Sequence, residues 1–156
     1  MKTPRPNAPV VGVVLVSHGP SALDLLETAR RMGNHLEGVT AVGTEFDEPA
    51  GQIQAKVEGA VEGVDLGHGV LVIMDLCGST PSNVCVGIAH SMRARLEAGA
   101  GHDVEILYGL SLPMLAKLST ADRTHGPTDL GREIQESAKR GIRLSSEILG
   151  PRRDAR

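Results

Sequence analysis

Val11-Gly-Val-Val-Leu-Val-Ser-His-Gly-Pro20 is the stretch that decides the fold class. Its aliphatic residues run on without the polar alternation of a half-solvated strand, so the segment reads as a strand buried on both faces, the kind found in parallel sheets. Glycine and proline stop it immediately after a lone imidazole, His18. The plan recurs at Val70-Leu-Val-Ile-Met74, which delivers a carboxylate, Asp75, into the small and hydroxyl residues Cys77, Gly78, Ser79 and Thr80.

Working outward, apolar β-branched runs alternate with segments of helical period. Strands are expected over Val10 to Val16, Val39 to Glu45, Gly69 to Asp75 and Val104 to Leu110. Helices are expected over Ser21 to Asn34, Ala50 to Val61, Pro81 to Ala98, Pro113 to Thr120 and Asp129 to Leu149. In the first, Leu23, Leu26, Ala29 and Met32, or Leu25 and Ala29, are spaced to cover a sheet, and Gly59 weakens the second. Such alternation predicts an α/β fold, a doubly wound and mainly parallel open sheet of about four strands with helices on both faces. In the order 2-1-3-4 the first and third strands are neighbours where the order reverses, the place where open sheets bind ligands. His18 and Asp75, at the carboxyl ends of those two strands, are then expected to meet.

Composition narrows the function classes. A chain of 156 residues suits one domain, expected over residues 10–150, between a disordered proline-rich lead at 1–9 and a charged tail at 151–156. With no Trp, one Phe (Phe46) and one Tyr (Tyr108), the core must be aliphatic and there is little to stack on nucleic acid bases. A formal charge of −3 supplies no basic field for nucleic acid or an anionic membrane. Cys77 and Cys85 lack the spacing of a metal or redox pair and are expected to be reduced. Nothing reads as a signal peptide or membrane span, so a cytoplasmic location is expected.

An exposed neutral imidazole is a nucleophile, and a carboxylate that accepts the Nδ1 proton leaves Nε2 lone-paired for attack. Gly78, Ser79 and Thr80, at a helix start opened by Pro81, offer donors and a positive dipole end to an anion such as a phosphoryl group. His18 and Asp75 are the catalytic candidates and Gly78, Ser79 and Thr80 the phosphate-binding ones, with no metal ligand among them. Each has a plainer alternative: a turn-capping histidine, Asp75 as helix N-cap, Ser79 and Thr80 as caps, Cys77 as an idle thiol. His35, His68, His90, His102 and His125 read as surface residues, and Met32, Met74, Met92 and Met114 as core fillers. Glu45, Asp47 and Glu48 form either a solvated rim or a face for a basic donor.

The motifs Val-Ser-His-Gly-Pro (16–20), Val-Ile-Met-Asp-Leu-Cys-Gly-Ser-Thr-Pro-Ser-Asn (72–83) and Gly-Leu-Ser-Leu-Pro-Met-Leu (109–115) resemble the IIA component of the mannose-family sugar phosphotransferase system. The resemblance runs from about Val10 to Leu149. It implies a cytoplasmic dimer that accepts a phosphoryl group on His18 from the phosphohistidine carrier HPr, with phosphoenolpyruvate as ultimate donor. It implies transfer onward to a separate IIB protein, no cofactor beyond the covalent phosphoryl group, Asp75 supporting the histidine and Thr80 on the phosphate side. The chain departs from the family pattern at Ser79, where a smaller residue is common, and at Cys77, where an aromatic is frequent. No strand is expected after the last helix, which puts in question the strand exchange between subunits that the family uses. Three other readings stand beside it: a dihydroxyacetone kinase phosphoryl-donor subunit, a tetrapyrrole metal chelatase, and a docking module whose histidine is never modified.

Overall fold

A computed structural model describes residues 10–150. The expected lead at 1–9 and tail at 151–156 lie outside the described residues. Four strands, β1 (Gly12–His18), β2 (Val39–Thr44), β3 (Val70–Met74) and β4 (Val104–Tyr108), form one sheet in the order β2-β1-β3-β4, every neighbouring pair parallel. The strand order and class follow the sequence expectation.

Alternating side chains along each strand build two separate cores, because successive residues point to opposite faces of a sheet. Val13, Leu15, Leu71 and Ile73 pack on one face beneath α1 (Ser21–Arg31), α4 (Leu112–Leu118) and α5 (Pro127–Gly141). Val14, Val16, Val70, Val72 and Met74 pack on the other beneath α2 (Ala50–Val64) and α3 (Thr80–Glu97). The helices contribute matched stripes, Ile53, Val57 and Val61 from α2 and Leu130, Ile134 and Ala138 from α5, at the i, i+4 spacing that shares a helix face.

Three expectations are corrected. In α1 the buried stripe is Ala22, Leu26 and Ala29; Leu23 is exposed, and Met32 stands 63% exposed just past the helix end. Leu26 and Ala29 lie on the face as expected, with Leu25 packed beside them; the stripe begins at Ala22, four positions before Leu26. The second helix runs past its expected end at Val61 to Val64, with Gly59 inside it and Val57 and Val61 buried on either side. The last expected helix is two: α5 stops at Gly141, Ile142 is extended, and a short α6 (Ser145–Leu149) follows. Gly141 is a weak helix former, and Ile142, Leu144, Ile148 and Leu149 are all exposed, so no packing carries the helix across the break.

Candidate functional site

His18 is the last residue of β1 and Asp75 the first after β3, so the parallel pairing of these central strands brings together two residues 57 positions apart. Asp75 grips the histidine twice. Its Oδ2 accepts the His18 backbone N–H at 2.9 Å, and both carboxylate oxygens face Nδ1, at 3.2 and 3.1 Å. The backbone bond ties the carboxylate to the strand, so it orients the ring from a fixed platform. The side chains are about three-quarters buried, with 23% of His18 and 26% of Asp75 exposed. Nε2 has no hydrogen-bond partner among the described residues. A neutral ring that donates its Nδ1–H in a hydrogen bond to Asp75 leaves Nε2 as a directed lone pair.

Beneath the histidine, the turn is held by residues that sequence reasoning passed over. Ser17 Oγ, fully buried, accepts the Ala22 N–H at 2.7 Å and donates to the Gly19 carbonyl at 3.2 Å, serving as the cap that Pro20 cannot supply to α1. Thr44 Oγ1 donates to the Ser17 carbonyl, and the Gly19 N–H donates to the Thr44 carbonyl. Gly19 adopts φ +59°, a conformation that favours glycine. Gly43 is needed for a different reason: a Cβ there would stand 2.6 Å from the Gly19 carbonyl oxygen.

On the other side of Asp75 the loop enters α3. Ser79 is the N-cap, its Oγ accepting the Ser82 N–H at 3.3 Å, and Thr80 opens the helix ahead of Pro81. Asp75 is therefore not the cap. Gly78, at φ +85°, donates its N–H to Ser82 Oγ at 3.2 Å. The N–H groups of Ser79 and Thr80 have no protein acceptor among the described residues. Unsatisfied amides at the first turn of an 18-residue helix, with its positive dipole end, have the chemistry to receive an anion.

The surroundings are apolar and acidic. Phe46 is 85% exposed with its ring centroid 6.4 Å from that of His18, and Leu76 and Cys77 are exposed on the β3–α3 loop. No signal beyond the rarity of aromatics marked Phe46 in the sequence. Of the three acidic residues beyond β2, Glu48 is tied into the fold. It accepts the Glu45 N–H at 3.0 Å and pairs with Lys56 at 2.6 Å, and these contacts, Lys56 first, hold its carboxyl below the usual range. Glu45 and Asp47 are exposed. Met114 and Leu115 are buried in the core, as is Met74, whereas Met92 is half-buried. The remaining histidines lie elsewhere: His102 pairs with Asp65 at 2.8 Å, and His68 faces the Thr124 carbonyl. Among the described residues no three His, Cys, Asp or Glu side chains converge as a metal-ligand set. No helix among them is long and apolar enough to cross a membrane.

The family model for the PTS system fructose IIA component matches residues 12–135. The chain belongs to this family. As a IIA component it has a phosphotransfer role in a sugar phosphotransferase system, and the mannose-type motifs read in its sequence fall within the matched span. No curated protein matches the chain. Among solved structures, this IIA domain is similar to phosphotransferase system component EIIA from Streptococcus agalactiae, at 23% identity and a TM-score of 0.72, covering 88% of this chain and 98% of that one. It is also similar to the mannose/sorbose specific IIA subunit from Enterococcus faecalis, at 18% identity and a TM-score of 0.73, covering 86% and 94%. A third is the PTS IIA protein associated with the fucose utilization operon of Streptococcus pneumoniae, at 22% and 0.67, covering 92% and 100%. At these identities the likeness is one of fold.

Proposed function

We infer that His18 Nε2 is the atom on which this IIA domain carries phosphate, taken from phospho-HPr and passed to a separate IIB protein, in sugar uptake or a regulatory phosphorelay. The observation that carries the reading is the double grip of Asp75, which binds Nδ1 and the backbone and leaves Nε2 outward. In the forward step the Nε2 lone pair attacks phosphorus in line, and the N–P bond to the donor histidine breaks, its electron pair returning to the donor ring. Nδ1 keeps its proton throughout, and Asp75 balances the positive charge the ring acquires. The amides of Ser79 and Thr80, with the Thr80 hydroxyl, receive the phosphoryl oxygens as charge builds there. The second transfer reverses these events towards IIB. The phosphoryl group arrives already covalently bound to the donor, so the step calls for no cofactor.

Phe46, Leu76 and the acidic Glu45 and Asp47 are the surface a donor meets in this reading. A homodimer in the cytoplasm completes it, and sedimentation of the pure protein reads that state directly. The central test is incubation with phosphoenolpyruvate, enzyme I and HPr, followed by intact mass. The expected product carries one acid-labile phosphoryl group, absent from His18→Ala. A wild-type protein left unmodified by its cognate HPr would instead favour a docking module.

A further inference from the structure

We propose that Tyr108, through Ser82, is a positioning residue that sets the anion-binding loop between β3 and α3. This rests on the reading of that loop and His18 as the phosphoryl site. Tyr108 is the chain's sole tyrosine and the last residue of β4, paired in register with Met74, the residue before Asp75. The peptides that follow it, at Gly109 and Leu110, both donate to the Met74 carbonyl, at 2.8 and 3.0 Å, which anchors the tyrosine to the strand end that presents Asp75. Its hydroxyl accepts a hydrogen bond from Ser82 Oγ at 3.2 Å, and that same Oγ accepts the Gly78 N–H at 3.2 Å.

The chemistry makes the order of these bonds matter. A serine hydroxyl has one hydrogen and two lone pairs, and Ser82 is buried, with 2% exposed. A serine within a helix tends to turn its hydrogen back to the carbonyl four residues earlier, which here belongs to Gly78. Tyr108 gives that hydrogen another destination, and the Ser82 lone pairs then face the Gly78 N–H. Gly78 is thereby held at its positive φ with its amide facing Ser82, and the next two amides, of Ser79 and Thr80, are left free of protein partners. The relay sorts the loop's donors: one is used internally and two are kept for the ligand.

The test pairs Tyr108→Phe, which removes only the hydroxyl, with Ser82→Ala. Two readouts are taken: the maximal rate and half-saturating concentration of phospho-HPr in transfer to the protein, and the exchange rate of the Gly78 amide by NMR. Loss of one neutral hydrogen bond predicts a fall of about threefold to tenfold in maximal rate with half-saturation unchanged. It predicts a comparable rise in Gly78 exchange, and the double variant no slower than Ser82→Ala alone. A Gly78 amide that exchanges at the wild-type rate in Tyr108→Phe overturns the relay, as does an unchanged maximal rate where His18→Ala is dead. If the wild-type protein takes no phosphoryl group, the carrier reading fails instead, and the Gly78 exchange still decides whether Tyr108 holds the loop.

Discussion

Oδ2 of Asp75 stands 2.9 Å from the His18 backbone nitrogen and 3.1 Å from its Nδ1, so one oxygen holds both the strand end and the ring. The ring is therefore aligned by the sheet itself. Removing the carboxylate frees the tautomer as well as the orientation. Asp75→Ala is expected to slow phosphoryl transfer by about 10²–10⁴-fold, the range for lost proton-handling groups. Asp75→Asn, which keeps an oxygen for Nδ1, is expected to lose less. Rapid-quench transfer from phospho-HPr measures both, and a wild-type rate in Asp75→Ala would remove the carboxylate from the mechanism.

Gly43 is a neighbour of the site that no chemical motif marks. An added Cβ would stand 2.6 Å from the Gly19 carbonyl oxygen and 3.1 Å from Leu23 Cδ1, and the first contact is backbone that cannot rotate away. Gly43→Ala should push the turn after His18 outward. The expected outcome is a loss of about 1–3 kcal/mol in stability, as for other overpacked sites, with slower transfer by the surviving folded protein. Urea unfolding and the transfer assay at matched folded concentration separate the two effects.

The two cysteines are expected to behave oppositely. Cys77 is exposed, whereas burial pushes the Cys85 thiol up to about 11 and seals it within the α2–α3 core. Iodoacetamide at about pH 8 should add one carbamidomethyl group to the native protein, on Cys77, and a second only in denaturant. Peptide mapping that finds Cys85 modified in the folded state would contradict this burial.

Glu48 links loop structure to pH. Its hydrogen bonds with Lys56 and the Glu45 N–H lower its folded pKa beneath the ordinary 4.5. The unfolded chain therefore takes up the proton first as pH falls. The stabilisation from the ionised carboxylate is fully present above 4.5 and fades as pH drops through that value towards the lower folded one. Wild type should exceed Glu48→Gln in stability at neutral pH, and the gap should close on acidification. A gap that stays constant between about pH 7 and pH 3 in urea titrations would exclude the linkage.

Much of this protein was legible in the chain. The unbroken aliphatic runs at Val13 to Val16 and Val70 to Met74 required strands covered on both faces, which only a doubly wound sheet supplies at this length. Two strand ends carrying His18 and Asp75 then met by topology alone. Helix boundaries were less legible. The break at Ile142 depends on there being no core beyond α5, and the phase of α1 depends on where the sheet lies beneath Ala22.

The sequence by itself determined the fold class and the two strand ends that carry an imidazole and a carboxylate, because periodicity and side-chain chemistry are local properties that add up along the chain; the expected order that makes those ends neighbours is realised in the sheet. Only the tertiary structure decided that Ser17 rather than Pro20 caps α1, that Gly43 must lack a side chain, that Phe46 stands beside the histidine, and that Ser82, itself bonded to Tyr108, accepts the Gly78 N–H. The pairings of Gly43 with Gly19 and of Ser82 with Tyr108 join residues 24 and 26 positions apart, and each rests on hydrogen-bond or contact geometry of a few ångströms. Such geometry exists only after the sheet has set its register, so no pattern of residue types along the chain encodes it.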